Sequence, residues 1–319
     1  MNRSLIVQLR YWVVCMLLAL VLPGCDDTST NVATPKTITD QILEDDQFSL
    51  LRAAMRYADV GDALKGGNIT LFAPTNAAFQ AAGLTTESSI MALPEQQVAQ
   101  MLLYHVLGFP LSSASLLEGF NSVATVSRSV IYVNKTAAST IYINNARITQ
   151  PDIRVANGYI HVIDRLLTPA TGNLLTNIKS NPKLTFLSAA IRRISTSNPT
   201  LAAMFDGSNS TKAVTFFAPN DDAFKADGRF RTLSAIDVAD PQALSNLLLY
   251  HMTSGVVFSN QLLTGAIATM FGSSRFAVTV TNDFITVRGN RNSVSAVMRE
   301  PDQTATNGVI HVIDQVLVP

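Results

Sequence analysis

The chain has 319 residues, enough for one large domain or two of about 150 each. Apolar residues make up 47% and charged residues only 14%, which excludes a disordered chain, since disorder goes with low hydrophobicity and high charge. Lys+Arg and Asp+Glu balance at 23 each, so the basic excess that marks a nucleic-acid binder is missing. The two cysteines, Cys15 and Cys25, lie near the start. The body of the protein therefore has neither a disulfide framework nor a cysteine zinc site.

Arg3 and Arg10 open the sequence, and Tyr11 to Leu22 is an unbroken apolar run. That run is too short for a spanning helix, which needs about 20 residues. A basic start, a short apolar stretch and a small-residue cleavage site describe a secretory signal peptide, here residues 1–24. Leu22-Pro23-Gly24-Cys25 resembles the bacterial lipobox, in which a small residue precedes a cysteine that is acylated and becomes the new N-terminus. The resemblance implies lipid attachment at Cys25 and a membrane anchor of more than one acyl chain, the number that stable attachment requires. Residues 25–36 read as a polar tether. The pair Asp26-Asp27 resembles acidic surface-export signals of some bacterial lipoproteins and reads equally as a solvated tether. The expected location is the bacterial cell envelope, lipid-anchored, in the outer membrane with surface exposure. With the chain ending at Pro319, Cys25 is the expected single anchor.

Comparison of the chain with itself reveals a duplication. Thr70-Leu-Phe-Ala-Pro-Thr-Asn-Ala-Ala-Phe79 returns as Thr215-Phe-Phe-Ala-Pro-Asn-Asp-Asp-Ala-Phe224. Leu102-Leu-Tyr-His105 returns as Leu248-Leu-Tyr-His251, and Asn157-Gly-Tyr-Ile-His-Val-Ile-Asp164 as Asn307-Gly-Val-Ile-His-Val-Ile-Asp314. Each unit is a whole domain, residues 37–169 and 170–319, joined at the turn-rich Thr168-Pro-Ala-Thr-Gly172. All four histidines occupy repeat-equivalent places, His105 with His251 and His161 with His311.

Within the first unit, Thr39 to Ala58 has helical periodicity. Ile69 to Ala73 is a short buried strand, and Thr75 caps the next helix, as Asn220 does in the second unit. Pro94 and Pro241 stand at starts of helices that run to Tyr104-His105 and Tyr250-His251. Beyond Val123 the residues turn β-branched and aromatic, giving strands over 130–133, 140–143 and 159–163. The second unit repeats them over 276–280, 284–287 and 309–313. Helices first and strands later make an α+β domain.

In this order and spacing, the three repeated motifs resemble the fasciclin domain, twice over. The resemblance implies a wedge-shaped β-sandwich with packed helices in each unit. It also implies a non-catalytic role in extracellular adhesion or in recognition of a protein or glycan. The family suggests two contact regions. One is the Tyr-His region, carried here by Tyr104, His105, Tyr250 and His251. The other matches a Glu-Pro-Asp-Ile-Met segment known from integrin-binding animal members, and appears here as Gln150-Pro151-Asp152-Ile-Arg154 and Glu300-Pro301-Asp302-Gln303. Both copies depart from its end, so the position carries over and the integrin ligand does not.

Catalytic chemistry finds no anchor in the residues. His161 and His311 lie in apolar strands and read as buried structural groups. A pairing with Asp164 or Asp314 fails, because strand residues three apart point to opposite faces. His105 and His251 end apolar helices, where the helix dipole favours a cation; a structural role leads there, with a contact role second. No His-x-x-x-His or His-x-His spacing supports a metal. Lys65-Gly66-Gly67 lacks the rest of a phosphate loop, and no nucleophile elbow is present. No cofactor, metal or nucleic-acid partner is expected. Two further classes stay open: an accessory glycan- or small-ligand-binding lipoprotein of a polysaccharide-uptake system, and a periplasmic enzyme. Exposed tryptophans on which sugars stack are lacking, since Trp12 falls within the signal segment.

Overall fold

The computed structural model describes residues 35–208 and 213–319. Cys25, the signal segment and most of the tether lie outside the described residues. The first unit opens with helices α1 (Ile38–Glu44), α2 (Ser49–Tyr57) and α3 (Gly61–Lys65). Thr37 caps α1 through a reciprocal box with Asp40. The helical stretch expected over Thr39 to Ala58 is interrupted. Asp45 adopts an extended backbone, and its carboxylate accepts from Gln47 N–H, starting a 3-10 turn before α2. A capping side chain thus outweighs the apolar periodicity across it.

Strand β1 (Ile69–Pro74) follows, then α4 (Asn76–Ala81), α5 (Glu87–Met91) and α6 (Glu95–Tyr104). Thr75 caps α4 by accepting from Ala78 N–H at 3.3 Å. Strands β2 (Val106–Leu107), β3 (Gly119–Ala124), β4 (Val130–Lys135), β5 (Ile141–Ile143), β6 (Ala146–Val155) and β7 (Gly158–Ile163) complete the unit. They join β1 in one seven-stranded sheet of order β2-β1-β7-β6-β5-β4-β3. Only β1 and β7 run parallel, with Leu71 opposite Ile160.

The second unit repeats the plan. Helices α7 (Leu174–Ser180), α8 (Thr185–Ile194) and α9 (Pro199–Asp206) precede β8 (Val214–Pro219). Then come α10 (Asp221–Ala226), α11 (Leu233–Asp237) and α12 (Pro241–Tyr250). Asn220 caps α10, accepting from Ala223 N–H at 2.8 Å. Strands β9 (Met252–Ser254), β10 (Gly265–Ala268), β11 (Arg275–Val280), β12 (Ile285–Arg288), β13 (Ala296–Ala305) and β14 (Gly308–Ile313) close a sheet of the same order.

The parallel pair at the centre of each sheet is covered on both faces. Leu71 and Ala73 of β1, with Ile160 and Val162 of β7, pack against the helices through Ile42, Leu51 and Leu102. Phe72 and Ile163 point the other way, into a second core with Ile131, Val133, Ile141 and Ile143. Strands buried on both faces read as continuous apolar runs, as these do. The long strands β6 and β13 make the second core possible. Their register shifts at Ile148/Gln150/Ile153 and Met298/Glu300/Gln303, so the sheet bends there and folds back on itself. Both shifts fall on the Pro-Asp segments. Asp152 and Asp302 sit there in the left-handed region, at φ 58 and 64.

Candidate functional site

The residues singled out in the sequence come together as two internal braces, each built twice. The first brace lies at the end of α6. Tyr104 OH donates to Val130 O at 2.9 Å and accepts from Asn144 Nδ2 at 3.0 Å. His105 places Nδ1 at 2.7 Å from Met101 O and Nε2 at 3.0 Å from Leu167 N. A carbonyl only accepts and a backbone N–H only donates, so Nδ1 carries the hydrogen and Nε2 the lone pair. The ring ties the helix end to the last segment of its own domain. In the second unit Tyr250 OH donates to Arg275 O and accepts from Asn290 N–H. His251 bonds to Leu247 O and Leu317 N at 2.8 and 2.9 Å.

The second brace holds the bend. His161 Nδ1 accepts from Asp152 N–H at 3.1 Å, and its Nε2–H donates to Leu111 O at 2.7 Å. The Asp152 carboxylate accepts from both the backbone N–H and the hydroxyl of Ser113. The second copy matches: Asp302 N–H donates to His311 Nδ1 at 3.1 Å, His311 Nε2–H to Val257 O, and Ser259 to the Asp302 carboxylate. Asp164 and Asp314 turn instead to the backbone N–H of Arg147 and Val297. A serine, an aspartate and a histidine therefore meet, but not in triad order. The hydroxyl donates to the carboxylate, and both ring nitrogens are taken by backbone, so the ring has no lone pair left to accept the serine proton.

These placements correct two expectations. Tyr104, His105, Tyr250 and His251 are buried, at 2% exposure or less, so they present no outer surface to a partner; Tyr104 alone of the four reaches the wall of the cleft between the two units. Asp152 and Asp302 spend both carboxylate oxygens internally, while Gln150, Pro151 and Arg154 of the first segment and Pro301 of the second are exposed. The dipole-favoured cation at the helix ends is likewise replaced by a neutral ring. Burial pulls His105 and His251 down to about 4, against a weaker upward pull from the carbonyls of Met101 and Leu247. Burial also lowers His161, and lowers His311 despite the neighbouring Asp302 carboxylate. It raises Tyr104 to about 12.

The sign for stability follows. Each folded ring prefers the neutral form, so its folded pKa lies below the unfolded one. The contribution is complete above about pH 6.5 and is lost as pH falls toward the folded value. For His105 and His251 that window runs from about 6.5 to about 4, worth at most about 3 kcal/mol each.

Sequence reasoning missed several supports. Asn157 Oδ1 accepts from Ile38 N–H, and its Nδ2 donates to Leu64 O and Gly66 O. Asn307 does the same with Leu174, Met204 and Phe205. Thr70 and Thr215 each clamp the loop beyond β2 or β9, donating to Phe109 O and Gly255 O. Their signal was repeat equivalence: each polar residue returns at the same place in the second copy.

A cleft of about 250 Å³ lies where the two units meet. Arg128, Ser129, Val130 and Tyr132 line it from the first, Thr304, Thr306 and Val309 from the second, with Ala170 of the linker between. Beside it Tyr132 packs on Phe258, ring centres 6.1 Å apart, and Asn260 Nδ2 donates to Asn144 O.

The family model described as "Fasciclin domain" matches residues 46–169 and 183–319. Transforming growth factor-beta-induced protein ig-h3 of Sus scrofa is 25% identical over 79% of this chain and 35% of its own length. Periostin of Homo sapiens is 28% identical over 83% of this chain and 30% of its own. The chain thus spans about a third of these relatives. Protein sll1483 of Synechocystis is 34% identical over 42% of this chain and 73% of its own length. A solved FAS1 domain pair from the insect cell adhesion molecule Fasciclin I aligns over 85% of this chain and 96% of its own, at 20% identity and a TM-score of 0.41. With matches covering most of its length in two successive copies, the chain belongs to the fasciclin domain family.

Proposed function

We propose that this chain is a non-catalytic cell-envelope lipoprotein that mediates adhesion or extracellular recognition of a protein or glycan. Residues 1–24 would direct export, Cys25 would carry the lipid, and residues 25–36 would hold the two domains away from the membrane. The observation that carries this reading is the tandem fasciclin pair, whose repeat-equivalent Tyr, His, Asp and Asn side chains are spent on internal bonds. Recognition then falls to the outer surface. Weak contacts from two linked domains on many copies gain strength by avidity.

The test is protease treatment of intact cells, with a periplasmic lipoprotein as control. Loss of this protein while the control survives is the expected result, and Cys25→Ala should release the protein from the membrane fraction. Protection of both proteins would sink surface adhesion.

A further inference from the structure

The cleft between the units has the chemistry of a binding site, and nothing in the adhesive reading uses it. Arg128 is its one charged residue, with no acid along the lining. The Arg128 guanidinium makes no hydrogen bond or ion pair to any described residue. Exposed surface arginines are often unpaired, but this one also holds a costly backbone. Its φ is 68, a left-handed value that non-glycine residues seldom adopt. The equivalent loop of the second unit is closed by the same threonine bond, Thr269 N–H to Ser274 O against Thr125 N–H to Ser129 O. There the left-handed residue is Gly272, at φ 58, as the conformation favours. That second loop does not line the cleft. Among the described residues, Arg128 is the one arginine in the left-handed region, and it lines the cleft.

The remaining lining narrows the ligand. The Ser129 and Thr306 hydroxyls have no partner among the described residues. Val130, Val309 and Ala170 give apolar wall, and Tyr132 gives an aromatic one. A guanidinium prefers a carboxylate that can take two parallel bonds. Free hydroxyls and an aromatic wall suit a hydroxylated ring, and the volume holds about one. We propose that the interdomain cleft binds a single acidic sugar residue of the uronic-acid type, its carboxylate on Arg128 and its hydroxyls on Ser129 and Thr306. Because the ligand touches both units, binding also fixes one domain against the other.

Calorimetric titration of the full chain with D-glucuronate tests this, with D-glucose and N-acetylalanine as comparisons. The expected result is saturable glucuronate binding, at least tenfold weaker for either comparison. Arg128→Gln should weaken glucuronate at least tenfold and leave glucose nearly unchanged. Thr306→Trp, which fills the cleft, should abolish binding. Both positions are exposed, and neither side chain holds a described residue, so melting temperatures should stay close to wild type. Absence of saturable glucuronate binding, equal binding by Arg128→Gln, or tighter binding of N-acetylalanine would overturn the proposal.

Discussion

Gly308→Ala should cost about 3 kcal/mol or more, read as a fall in the urea midpoint. An added Cβ at Gly308 would lie 2.0 Å from Val214 O, in the neighbouring parallel strand. No side chain can turn aside there, because the obstacle is backbone. The strands β8 and β14 would have to part at the centre of the sheet, where both faces are buried. Gly158→Ala meets the same obstacle, with a Cβ 1.8 Å from Ile69 O, and adds a φ of 148 that alanine does not tolerate. Gly61→Ala is the control: its Cβ would meet nothing within 4 Å, at the start of a helix that alanine favours. It should change stability by less than about 1 kcal/mol. A Gly308→Ala protein as stable as wild type would contradict the close strand approach.

His251→Ala should be the next most damaging change, at about 3 to 5 kcal/mol. Truncation opens a cavity in a fully buried site. It also strands Leu317 N–H and takes one partner from Leu247 O, and an unmet buried group costs about 1 to 3 kcal/mol. His105→Ala should behave alike in the first unit. Pro301→Ala, at an exposed position of the bulge, should stay within about 1 kcal/mol. Denaturation curves of the three variants check this ordering. A His251→Ala protein that keeps wild-type stability while losing partner binding would restore the contact role.

Much of the fold was legible because the chemistry of each element was local. The run Thr70-Leu-Phe-Ala-Pro announced a strand stopped by proline, and Thr75 and Asn220 announced caps that the structure contains. Strands β6 and β13 were harder to see. A proline inside a run argues against a strand, and only the bulge at Asp152 or Asp302 lets it sit there. The roles of the histidines were half legible. Burial of His161 and His311 could be read from their apolar neighbours, but their partner is the Asp nine positions earlier, across a hairpin whose register the bulge sets. At His105 and His251 the helix dipole favours a cation, but desolvation is the larger force in a dry site and keeps the rings neutral. The cleft was invisible, since its walls come from strands and turns of both units.

The four repeated histidines are neutral internal braces. Nitrogen-detected NMR of the imidazole rings across a pH titration tests this directly. Nδ1–H tautomers are expected at His105 and His251 and Nε2–H tautomers at His161 and His311. None should titrate near 6.5, and stability should fall as the pH drops from about 6.5 toward about 4. A ring at His105 or His251 that takes up a proton near 6.5 while the protein stays folded would contradict this.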